Sequence, residues 1–150
     1  MSAATPAKAP GFVGFFNPLA RRFLKVGPLL GPNALITIRG RKTGRPRTTP
    51  IALVEIGGKR WVIGTFGETN WVRNLRAAGA ATISVGKRHE DVRARELSVE
   101  EGARFFRDVI TPFVRSLRIG GLLLALLDAR QIVDDPDAAA RVRPVFELIR

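Results

Sequence analysis

Residues 35–65 read LITIRGRKTGRPRTTPIALVEIGGKRWVIGT, and the punctuation of this stretch decides the fold. Leu35 to Arg39 is β-rich and alternating, the period of a half-buried strand. Gly40 to Pro46 interrupts it with residues that favour turns over ladders. Thr48 to Ile56 reads as a second strand. Gly57-Gly58 supplies the pair of left-handed positions that a tight hairpin needs, and Arg60 to Thr65 returns as a third strand. Strands joined by connections this short are antiparallel neighbours.

Working outward, Thr69 or Asn70 can cap a short helix over Trp71–Ala78, with Gly79 as its stop. Ala80–Val85 and Glu90–Leu97 are two further strands hinged at Gly86. Ser98 with Glu101 three residues on forms a capping box for a helix reaching about Thr111. Pro112–Asp128 is helical and very apolar, with Gly120-Gly121 weakening its middle. The acidic turn Asp134–Asp137 caps a short helical piece, Ala138–Arg141. Val142–Ile149 is a last strand, started or edged at Pro144. Six strands, mostly antiparallel and locally connected, with three or four helices, indicate an α+β, mainly β chain: a small split β-barrel or roll with flanking helices.

A chain of 150 residues that is 45% hydrophobic is sized for one domain with a real core. The expected organisation is a disordered arm over residues 1–11 and a single domain over 12–150. Residues 12–26 open that domain as an amphipathic helix. Phe12, Phe15, Phe16, Leu19 and Phe23 follow helical spacing, and Arg21, Arg22 and Lys25 lie between them. Two roles suit such a helix: covering the barrel, or lying on an anionic membrane surface. The N-terminus has no secretory signal pattern and no stretch has the length of a membrane span. A cytoplasmic protein follows as the expectation, with peripheral contact on the inner face of the membrane as an option.

The chain has no cysteine, no tyrosine and one histidine. Thiol nucleophiles, disulfides and zinc–thiolate sites are thereby excluded. His89 lies in a charged turn and reads as a surface residue. No serine occupies a nucleophile elbow and no acidic pair fits glycosidase chemistry. A catalytic residue therefore cannot be assigned, and an enzyme of this composition leaves its chemistry to a cofactor. Charge points the same way. The first fifty residues carry nine Lys or Arg and no acid, against eight basic and six acidic in the middle fifty. A field this localised favours an anionic partner. Nucleic acid is not expected to be that partner, because Trp61 and Trp71 are not interleaved with arginine as a stacking platform requires.

Two segments carry the site. In Arg39–Arg47 five of nine residues are cationic, and they sit on a turn. Turn amides converge on anions, Thr43 adds a hydroxyl, and arginine forks match phosphate oxygens. The spacing is that of neither a Walker loop nor a dinucleotide fingerprint. Thr65-Phe66-Gly67-Glu68-Thr69-Asn70-Trp71 then runs from a strand end into a helix N-terminus, where free N–H groups favour negative charge. Trp71 can flank a ring system, and Asn74, one turn later, can hydrogen-bond it.

These residues resemble a known family. Gly40-Arg41-Lys42-Thr43-Gly44-Arg45-Pro46-Arg47, followed after two residues by Pro50, is similar to the signature turn of the deazaflavin-dependent nitroreductases of actinobacteria. Trp71-Val72-Arg73-Asn74-Leu75 resembles their Trp-x-x-Asn-Leu helix, and Arg143-Pro144-Val145-Phe146 their closing strand. The likeness spans roughly residues 34–98. It implies a split barrel related to flavin reductases and coenzyme F420, an 8-hydroxy-5-deazaflavin, as hydride donor. The rival reading keeps the fold and takes FMN, the runner-up cofactor, or haem or a lipid, without this activity. The resemblance also implies an apolar quinone or nitroaromatic acceptor and a monomer or homodimer. Carried over, cofactor binding falls to Arg41, Lys42, Thr43, Gly44, Arg45, Pro46 and Arg47 for the phosphate and acidic tail. Ile63, Gly64 and Thr65 would line the ring, and Trp71 and Asn74 would contact ring and chain. Phe66 stands where the best-known member has a lysine, and the tyrosines of that member's acceptor pocket have no counterpart.

Overall fold

A computed structural model describes residues 34–51, 53–116 and 130–150. The arm 1–11, the helix expected over 12–26 and most of the apolar segment 112–128 lie outside the described residues. Seven strands build one sheet: β1 (Ala34–Arg39), β2 (Pro46–Ile51), β3 (Leu53–Ile56), β4 (Lys59–Ile63), β5 (Ala80–Val85), β6 (Arg88–Glu96) and β7 (Val145–Ile149). Their order is β2-β1-β5-β6-β7-β4-β3, and every pairing is antiparallel.

The count of seven corrects the expected six. The run read as one strand over Thr48–Ile56 is two. Residues 46–51 pair with β1, and residues 53–56 pair with β4. These two pieces are the opposite edges of the sheet, yet a single residue separates them in the chain. The sheet must therefore curl until its edges meet. A strand that changes partners at a corner is a common way of turning such a sheet. The β3–β4 hairpin closes through Gly57 and Gly58, at φ 61° and 79°, a pair of left-handed values that side-chain-bearing residues seldom adopt together.

Alternation along the strands sorts two cores. Inside the curl lie Ile36, Ile38, Ile83, Val62, Phe146 and Leu148, joined by Val72 and Leu75 of helix α1 (Asn70–Ala78). On the other face, Ile63 and Val145 pack with helix α2 (Val99–Phe105) and the π-helical turn Phe106–Ile110. Trp61 and Phe105 stack there with ring centroids 4.8 Å apart. α2 starts at the Ser98–Glu101 capping box, with both reciprocal bonds made, at 2.9 and 3.1 Å. The helix does not stop at Thr111. It continues through the π turn into α3 (Thr111–Ser116). Pro112 cannot donate a helical bond, and the widened turn just before it absorbs the defect, Thr111 donating both N–H and hydroxyl to the Phe106 carbonyl. Two short helices follow, α4 (Gln131–Asp134) and α5 (Pro136–Val142), the latter capped by the Asp135 carboxylate on Ala138 N–H. Among the described residues no helix is long and apolar enough to cross a membrane.

Candidate functional site

The basic turn joins β1 to β2, and its backbone hydrogen bonds can be counted one by one. Gly40 N–H donates to Arg45 O at 2.8 Å and Gly44 N–H to Gly40 O at 2.9 Å. Arg45 N–H donates to the Thr43 hydroxyl oxygen at 3.2 Å. Arg41 N–H leaves the turn and donates to Asn74 Oδ1 at 3.1 Å. Among the described residues that leaves two adjacent N–H groups, Lys42 and Thr43, without an acceptor. Adjacent free amides of this kind make a small concave anion seat. The side chains of Arg41, Lys42, Arg45 and Arg47 are all exposed around it. Pro46, which has no N–H, opens β2.

Facing the turn is the N-terminus of α1. Its capping position, Thr69, makes no side-chain capping bond, and its first turn carries no acid. The first amides of a helix have no intrahelical acceptor, so positive potential from α1 adds to that of the turn. Among the described residues the buried Thr69 hydroxyl oxygen has no partner. The loop leading into α1 is clamped from behind, where Arg76 reaches Glu68 at 2.8 Å and Glu96 at 2.7 Å. The Arg76 guanidinium holds the Glu68 carboxyl below the usual carboxylate range, and the two glutamates push Arg76 up.

Between turn and helix lies a groove of about 320 Å³, lined by Gly40, Arg41, Lys42, Thr43, Arg47, Thr48, Thr49, Asn70, Trp71 and Asn74. That volume sits at the small end of the roughly 300–1,000 Å³ usual for ligand pockets. The structure thus brings together Arg41, Lys42, Thr43, Arg47, Trp71 and Asn74 of the residues singled out from sequence. Gly44, Arg45 and Pro46 shape the turn behind them. Ile63, Gly64 and Thr65 do not line this groove. Ile63 belongs to the outer core, Thr65 is 8% exposed, and Gly64 lies directly under α1. A Cβ on Gly64 would sit 2.9 Å from Val72 Cγ2. Their link to the groove is indirect: a bare Gly64 lets α1 approach, and that approach sets the position of Trp71.

Gly40, Thr48, Thr49 and Asn70 also line the groove and were not singled out from sequence. Thr48 and Thr49 follow Arg47 directly on β2, and a strand entering an anion turn brings its first hydroxyls with it. That adjacency was the available signal. Asn70 had been read only as a possible cap. His89 is exposed and meets Ser84 Oγ at 2.8 Å through Nδ1, on the β5–β6 hairpin and away from these lining residues.

A family model described as F420H(2)-dependent quinone reductase matches residues 21–116. Three solved structures resemble the chain. One, described as a domain-swapped dimer, is 25% identical, with 79% of this chain and 80% of that chain covered and a TM-score of 0.47. A second, described as an F420-H2 dependent reductase, is 22% identical over 79% of this chain and 94% of that one, at 0.46. A third, the haem storage protein HutZ from Vibrio cholerae, is 14% identical over 84% and 87%, at 0.44.

Proposed function

Since this chain belongs to the F420H2-dependent quinone reductase family, we propose that the groove between the basic turn and α1 seats the phosphate-bearing arm of coenzyme F420, with its ring against Trp71. The protein is an F420H2-dependent oxidoreductase. The observation that carries the site assignment is the pair of unpaired amides at Lys42 and Thr43, in a groove walled by Arg47 on one side and Trp71 on the other. The donor set fits the group. Amides and cations suit a phosphodiester, and an indole flank suits a planar ring.

Bound reduced F420 supplies a hydride. The chain's contribution is placement. Lys42, Thr43 and Arg47 hold the anionic end, with the charge of Arg45 adding to the field from the turn behind them. Thr48 and Thr49 offer hydroxyls along the groove, and Trp71 limits where the ring can lie. Ile63, Gly64 and Thr65 support that wall from beneath. Orientation of this kind removes the entropy of bringing two reactants together. The acceptor is an apolar quinone, or a nitroaromatic of similar shape. Residues 12–26 bring the protein to the anionic surface where such quinones are dissolved.

Anaerobic titration with reduced F420, followed by mixing with a short-chain quinone, tests this reading. Saturable binding and quinone-dependent reoxidation are expected, with reduced FMN giving neither. Absence of binding up to about 50 µM, roughly 6 kcal/mol of affinity, overturns it. A liposome flotation assay on residues 12–150 against 27–150 tests the surface contact separately.

A further inference from the structure

We propose that Asn74 is a positioning residue: its carbonyl oxygen locks Arg41 against α1 and thereby holds the Lys42 and Thr43 amides open to the groove, so that this oxygen acts on the ligand through Arg41. For the identity of the ligand this rests on the function proposed above; the positioning itself does not.

Asn74 is 7% exposed. Its Oδ1 accepts two bonds from one residue, Arg41 N–H at 3.1 Å and Arg41 Nη1 at 2.7 Å. An amide oxygen has two lone pairs, so both are spent on Arg41, and a direct contact with an anion would have to come from Nδ2 instead. Arg41 immediately precedes the two unpaired amides. If its N–H were released, the turn could rotate and satisfy that N–H, or those of Lys42 and Thr43, within itself. The choice of amide over carboxylate also has a physical reason. A carboxylate would bind Arg41 more tightly but cancel its charge beside an anion seat, whereas a neutral oxygen orients the guanidinium and leaves the positive field intact.

Hydrogen exchange on the ligand-free chain is the first arm of the test. Asn74→Ala should raise exchange about tenfold at the Gly40, Arg41, Gly44 and Arg45 amides, with β5 and β6 unchanged. Asn74→Asp keeps an acceptor oxygen and should retain wild-type protection. Arg41→Met, a change to an exposed side chain, should open the same amides. Unchanged protection in Asn74→Ala, equal loss in Asn74→Asp, or no effect of Arg41→Met overturns the proposal, the last even where Asn74→Ala fails to fold.

The second arm is F420 binding by fluorescence. Asn74→Ala should weaken it about tenfold in the wild-type background and by a smaller factor, about threefold, in an Arg41→Met background, where only the bond from the residue 41 N–H remains to be lost. Equal losses in both backgrounds mean that Asn74 does not act through the Arg41 side chain and overturn the proposal. A wild-type chain that binds no F420 overturns the function proposed above, while the exchange arm still decides the role of Asn74.

Discussion

Asn74 Oδ1 lies 2.7 Å from Arg41 Nη1, a bond between residues 33 positions apart that ties the anion turn to the helix carrying Trp71. The turn leaves β1, the strand on which α1 packs, and this contact makes turn and helix two walls of one groove.

Removing charge from the turn should weaken the cofactor more than the fold. Lys42→Met and Arg47→Met each remove an exposed cation beside the unpaired amides. Each should raise the F420 dissociation constant about tenfold at low salt, and the loss should shrink as salt screens the site. Unfolding free energy should change by less than about 0.5 kcal/mol. Fluorescence titration at two salt concentrations, with denaturant curves alongside, checks both. Equal affinity for wild type and both variants would remove the turn from the site.

The two tryptophans should report differently. Trp71 lines the groove, while Trp61 packs on Phe105 in the outer core. Oxidised F420 should quench indole emission in Trp61→Phe and leave it nearly unchanged in Trp71→Phe. The opposite pattern would put the ring elsewhere.

Gly64→Ala should destabilise strongly without touching ligand. The added methyl would meet Val72 Cγ2 at 2.9 Å, Gly67 O at 3.2 Å and Pro144 Cδ at 3.2 Å, and two of these contacts are on backbone or ring atoms that cannot swing away. A cost of about 1–3 kcal/mol is expected. Urea denaturation measures it, and a midpoint equal to wild type would mean that α1 is free to shift.

The clamp behind α1 should fail in acid. Arg76 lowers the Glu68 carboxyl below its ordinary value, so the folded state favours the charged form. The stabilisation is complete above the ordinary glutamate value of about 4.3 and vanishes as pH falls through the lowered folded value. The ion pairs are exposed, so solvent screening limits the effect to about 0.5–1 kcal/mol. Arg76→Met should lower stability by that amount from about pH 5 to 8, and the gap to wild type should close below about pH 4. A gap that persists in strong acid would assign the loss to packing of the arginine stem.

Much of the fold was legible because its signals are local. The Gly57-Gly58 hairpin, the Ser98–Glu101 capping box and the Gly79 stop each depend on neighbours within a few residues. The split of residues 46–56 was not legible. Both halves are β-rich, and nothing local says that Arg47 pairs back to Ile38 while Val54 pairs forward to Trp61. The site was legible in its residue types and illegible in its division of labour. Sequence gave every turn amide the same standing. In the structure four N–H groups are spent on the turn and on Asn74, leaving Lys42 and Thr43. Asn74 itself read as a ring contact because helical spacing put it one turn after Trp71, whereas its oxygen faces a partner that only the tertiary fold brings near.

β7 is the latest strand in the chain and yet stands between β6 and β4. Without residues 145–149 the sheet is two pieces: β2-β1-β5-β6, which carries the basic turn and on which α1 packs, and the β3–β4 ribbon. Pairings as distant as Ile63 with Val145 form late and slowly. Both walls of the groove therefore rest on the β2-β1-β5-β6 piece, and β7 adds the seam that fixes the β3–β4 ribbon leading into α1.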